Sequence, residues 1–80
     1  MNIRQQKIRG RKLDLKAIGH RIREMRGFDL RQAEFGKVLG ITQAQLSKYE
    51  RGESAPTLDI LLKLKGYSGK TVDWMLTGEL

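Results

Sequence analysis

The sequence predicts an all-α fold: five helices with a helix-turn-helix at the centre. Three observations carry that prediction. Apolar residues recur at three- and four-residue steps, a capping side chain stands before most of these repeats with a glycine after them, and every connection between repeats is short. Asp14 can cap a first helix bearing Leu15, Ile18, Ile22 and Met25, which Gly27 ends. The second helix is expected over about residues 30–39 and the third over about 43–50, closed by Gly52. Pro56 cannot continue a helix and belongs to a loop. Thr57 can then cap a fourth helix whose Leu58, Leu61, Leu62 and Leu64 form an apolar stripe, broken by Gly66-Tyr67-Ser68-Gly69. Thr71 caps a last short helix carrying Val72, Trp74, Met75 and Leu76, and Gly78 ends it. The core should be the inward faces of helices one, two, four and five around the third. Phe28, Phe35, Tyr49 and Trp74 read as core, with Trp74 anchoring the last helix.

The stretch QAEFGKVLGITQAQLSKY, residues 32–49, is the most informative. Phe35, Leu39, Ile41, Leu46 and Tyr49 can all turn inward. Gly36 is small where two steeply crossing helices would collide, and Gly40 stands where a chain leaving a helix needs positive φ. Thr42 can accept the free amide hydrogens of the next helix. In such a layout the second of the two helices lies in a DNA major groove.

Composition agrees. Eighty residues make one small domain, and the net charge of +7 with a pI near 10.2 favours polyanions, nucleic acid first. The charge is uneven: residues 1–13 form a basic arm holding Arg4, Lys7, Arg9, Arg11 and Lys12 without an acid, while residues 14–80, the helix-turn-helix domain, set eleven bases against nine acids. With no cysteine there is no disulfide framework and no thiolate metal site, and no metal or other cofactor is expected. The longest apolar runs are only a few residues, so no membrane partner is expected, and no apolar stretch follows the basic N-terminus to make a secretion signal. A cytoplasmic, nucleoid-associated protein is the expectation.

IGHRIREMR in the first helix, LRQAEFGKVLGITQAQLSKYERGESAPTLDILLKL through the next three, and TVDWMLTGE at the end resemble the lambda-repressor/Cro-type DNA-binding domains over about residues 15–79. The resemblance is specific because it combines a Gln opening the second helix, the glycine turn, Glu-Arg-Gly after the third helix and Val-Asp-Trp late in the chain. It implies the five-helix lambda-repressor-like fold and a sequence-specific transcriptional regulator, a repressor by analogy, acting as a homodimer on a palindromic double-stranded DNA operator. Two departures stand out. The loop Gly27-Phe28-Asp29 is about one residue short, with Asp29 where glycine is usual, and Ser68 and Lys70 replace aliphatic residues. Tyr67 can supply the apolar surface so lost.

Successive helical residues turn by about 100°. With Leu46 and Tyr49 inward, Ala44, Ser47 and Lys48 point away from the core, and Gln43 and Gln45 flank them. Gln43 lies in the first turn, where its amide can make a two-point contact with the N6/N7 edge of adenine, as the family's matching glutamine does. Ala44 suits a thymine methyl, Ser47 a donor or an acceptor, and Lys48 guanine O6/N7 or a phosphate. Phosphate contacts are expected from Gln32 at the start of the second helix, and from Arg31, Thr42, Gln45 and Arg51. The resemblance also implies that Glu50 pairs with Arg26 at the end of the first helix.

An enzyme is not expected. His20 is the sole histidine, lies beside Arg21 and Arg23 and has no Ser-Asp or Cys partner nearby in the sequence, and the nine glycines are scattered at turns rather than gathered in a phosphate loop. The rival reading is a protein-interaction module, or an antitoxin that uses the same domain mainly to hold a partner protein.

Overall fold

The computed structural model describes residues 12–80, in which five helices follow one another: α1 (Leu15–Arg26), α2 (Gln32–Leu39), α3 (Gln43–Glu50), α4 (Leu58–Ser68) and α5 (Val72–Thr77). No strand occurs among the described residues. The basic arm expected over residues 1–13 lies outside them except for Lys12 and Leu13, both exposed.

Local chemistry sets most of the helix ends. Asp14, Thr42, Thr57 and Thr71 each hold extended backbone and accept the amide hydrogen three residues on, removing one unpaired donor from a first turn. α2 starts differently. It opens at Gln32 rather than near residue 30, because Glu34 reaches back to accept the backbone N–H of Arg31, which becomes the cap. α4 runs straight through Gly66 and Tyr67 and ends only at Gly69, whereas the sequence had suggested a break at Gly66. The Ser68 hydroxyl donates to Leu64 O and accepts from Lys70 N, closing the helix end.

The core is continuous across all five helices: Ile18, Ile22 and Met25 of α1, Phe35 and Leu39 of α2, Leu46 and Tyr49 of α3, Ile60, Leu61 and Leu64 of α4, and Met75 of α5. α3 packs between α1 and α2, while α4 and α5 close the other side of α1. Three expectations for this core need correction. Phe28 is fully exposed at 107% because it sits in the short turn after Gly27, beyond the last core-facing position of α1. Leu58 and Leu62 are exposed too, and Ile60 takes their place inward, so the buried stripe of α4 is Ile60, Leu61 and Leu64. Met75, not Trp74, is the fully buried residue of α5; Trp74 is half-buried at the edge, with the Lys70 ammonium 5.0 Å from its ring centre. Tyr67 meets Phe35 edge-on, ring centres 5.1 Å apart, supplying apolar contact beside Ser68.

Two cations finish helix ends from a distance. Lys63 donates to Leu39 O at the end of α2, and Arg21 to Met75 O in α5, each placing positive charge at a C-terminus.

Candidate nucleic-acid interface

The turn between α2 and α3 is tight for two separable reasons. Gly40 holds φ 73°, and Ile41 N then bonds Gly36 O at 2.8 Å. A side chain on Gly36 would put its Cβ 2.8 Å from Ile41 O, so the helices could not cross so closely. The result is that α3 is embedded by one edge only. Leu46 and Tyr49 are buried there, Ile41 packs against the core, and the opposite edge stands open.

On that open edge Gln43, Ala44, Ser47, Lys48 and Arg51 line one shallow concavity. Gln43, Ala44, Lys48 and Arg51 are exposed and Ser47 is half-buried. Thr42 is exposed at the mouth with its Oγ1 accepting Gln45 N at 3.1 Å, and Gln45 is half-buried on the flank. The four residues expected to meet bases therefore share a surface, and Arg51 joins them at its C-terminal end. Arg31 is exposed at the start of α2, outside the concavity.

Behind α3, Arg26 of α1 grips Glu50 with two parallel bonds, Nε to Oε2 at 2.8 Å and Nη2 to Oε1 at 2.9 Å, while its Nη1 donates to Leu30 O at 2.9 Å. The side chains are 14% and 4% exposed, so this pair is nearly sealed from water. Hydrogen bonding to Glu50 raises the Arg26 pKa above its ordinary value, opposed by burial and aided by the carboxylate's charge. Gln32 joins the network, its Nε2 donating to Glu50 Oε1 at 3.1 Å. The first residue of α2 and the last of α3 are thus tied through one carboxylate. One amide hydrogen of Gln32 is spent on this tie; the second remains for an external acceptor.

A second pair closes the other side. Arg51 donates through Nε and Nη2 to the Glu53 carboxylate and through Nη1 to Ser47 Oγ. Glu53 escaped notice in the sequence, where an acid beside a nucleic-acid face has no obvious use. Its carboxyl is held below the usual carboxylate range, mainly by the hydrogen bond from Arg51, which outweighs the opposing effect of desolvation, with the charges of Arg51 and Lys48 adding to it. Among the described residues no group of His, Asp and Glu side chains could hold a metal ion, and no helix is long and apolar enough to cross a membrane.

A buried α2–turn–α3 with one open, polar and cationic helix edge defines a helix-turn-helix domain of nucleic-acid-binding design. The helix-turn-helix family model matches residues 21–75, and the chain belongs to this family, of the lambda-repressor/Cro type. It is 33% identical over 69 residues to the repressor protein C2 of Salmonella phage P22, covering 85% of this chain and 32% of that one. A match to an uncharacterised helix-turn-helix transcriptional regulator of Haemophilus influenzae is 27% identical over 48 residues, 60% of this chain and 20% of the other. The chain thus spans a third or less of these relatives. Among solved structures, the phage P22 repressor in complex with a synthetic operator superposes with a TM-score of 0.70 at 35% identity, covering 78% of this chain and 96% of that one. The restriction-modification controller protein of Aeromonas hydrophila follows with 0.67 at 26% identity, over 79% and 93%.

Proposed function

We propose that this chain is the operator-reading domain of a transcriptional repressor, placing α3 in the major groove of a palindromic DNA site as one half of a homodimer. The observation that carries this reading is the open edge of α3, where Gln43, Ala44, Ser47, Lys48 and Arg51 share one concavity while the opposite edge is buried. In this reading Gln43 contacts adenine, Ala44 a thymine methyl, and Ser47 and Lys48 neighbouring base edges. Gln32 offers its second amide hydrogen to a phosphate, with Arg31, Thr42 and Gln45 contacting the backbone around it. The operator complex of the similar phage P22 repressor supports the assignment. The domain works without a cofactor, in the cytoplasm, and is not an enzyme; residues 1–13 act as a basic arm beside the folded domain at 14–80. Leu58 and Leu62, exposed on the outer side of α4, offer apolar surface for the second copy.

Selection of bound duplexes from a random DNA library at about 150 mM salt, where nonspecific contacts are weakened, tests the proposal. Enrichment of one paired half-site motif establishes an operator-reading dimer. A folded protein that enriches nothing overturns it and leaves the protein-partner reading. Deleting residues 1–12 should flatten the dependence of log affinity on log salt, by about 0.9 for each phosphate the arm neutralises.

A further inference from the structure

Glu53 presents a puzzle for a DNA-facing surface. It follows the exposed end of α3, beside the concavity, where a phosphate backbone would repel it. Yet the backbone fixes it there. Gly52 holds φ 74° in the turn, and a Cβ on it would lie 2.8 Å from Lys16 Cα in α1, so the turn is pressed against that helix. Glu53 N then donates to Lys48 O at 2.9 Å, back into the last turn of α3. From this fixed base the carboxylate takes two of the five N–H donors of the Arg51 guanidinium, and another bonds Ser47 Oγ, one turn back on the same face.

The arrangement has two consequences for what α3 offers to DNA. Arg51 is the largest cation lining the concavity, but its charge is balanced locally and three of its five donors are engaged by Glu53 and Ser47. An arginine so held is a poor phosphate clamp, in contrast to the role expected from the sequence. And because Ser47 Oγ accepts from Arg51, its own proton must point elsewhere. With one of its two lone pairs filled, the serine keeps its proton and a single lone pair, which shifts its balance toward giving a hydrogen bond. A donor there suits guanine O6 or N7, adenine N7 or thymine O4, and disfavours the amino groups of cytosine and adenine.

We propose that Glu53 is a specificity-setting positioning residue: it withholds Arg51 from phosphates and, through Arg51, turns Ser47 into a hydrogen-bond donor toward the bases. This rests on the DNA-reading function above, and two readouts keep the failures apart. In the full chain without DNA, the Glu53 carboxyl should titrate below the ordinary carboxylate range by NMR and return to it in Arg51→Ala. With DNA, the wild type, E53A, R51A and R51A/E53A are compared on the selected operator and on random duplex over a salt series. E53A should tighten random-duplex binding and steepen its log–log salt slope by about 0.9, one further phosphate neutralised. The ratio of operator to random affinity should fall about fivefold, the worth of one hydrogen bond. In the R51A background E53A should change neither. If E53A acts equally with and without Arg51, Glu53 is only a negative charge near DNA and the proposal is overturned. It is likewise overturned if E53A changes neither slope nor ratio while the wild type prefers its operator. A wild type without any operator preference overturns the DNA-reading function itself, and Glu53's role with it.

Discussion

Two arginine–glutamate pairs close the C-terminal end of α3, one on each side. Arg26 and Glu50 lie behind the helix, 14% and 4% exposed, and draw in Gln32 and the Leu30 carbonyl so that every charged oxygen has a donor. Arg51 and Glu53 lie in front of it, 56% and 52% exposed, and share only Ser47. The chemistry is the same and the surroundings differ. A sealed pair cannot lose one partner without stranding the other charge away from water, whereas an exposed pair lets water replace the missing member. The first therefore belongs to the stability of the helix-turn-helix, and the second to what its surface presents.

The sharpest way to break that contrast is Glu50→Ala. It should cost about 3 kcal/mol, the lower end for a severed buried pair because the Arg26 side chain keeps a little access to water. For a domain this size that is a fall of about 12 °C or more in Tm, read by thermal melting. A protein that melts as before but prefers a different operator would reverse the assignment of the two pairs. Gly19→Ala probes the same seam without touching a charge. Its Cβ would stand 2.4 Å from Glu50 O and 2.5 Å from Tyr49 O, both backbone atoms, so α1 and α3 must part, at about 1–3 kcal/mol by denaturant unfolding. On the front face the effects should move from stability to binding. Gln43→Ala should leave the melting curve alone and remove about 1–3 kcal/mol of discrimination at one base pair, measured on single-substitution operator variants. A uniform loss over all duplexes would make Gln43 a backbone contact instead.

The smallest effect concerns acid. The Glu53 pKa is lowered in the folded chain, so whatever stability its pair contributes is present above the unfolded carboxylate pKa and fades as pH falls through the lower, folded value. Because the pair is exposed, the acid limb of the melting temperature should be the same in Glu53→Gln as in the wild type. A clear difference between them would mean the front pair is structural after all.

How much of this was legible beforehand depended on how far apart the partners lie. Asp14, Thr42, Thr57 and Thr71 bond amides only three residues away, and Gly40 adopts its φ within the turn it makes, so the caps and the central turn could be read from neighbours alone. Buried α3 positions followed from helical period for the same reason. Arg26 and Glu50, 24 residues apart, were paired only through family resemblance, since nothing local brings them together. Tyr67 shows the same limit: the residues around it suggested a broken helix, but its contact with Phe35 and the closing bonds of Ser68 let α4 run on.

The sequence by itself determined the five helices, the turn that joins α2 to α3 and the polar edge of α3, because each depends on period, capping or φ within a few residues. Only the tertiary structure decided that Phe28, Leu58 and Leu62 stay outside, that Gly19 must be small against two α3 carbonyls, and that Arg51 is held by Glu53. These outcomes depend on which surfaces meet and where a turn is pinned, and short-range patterns carry no information about either.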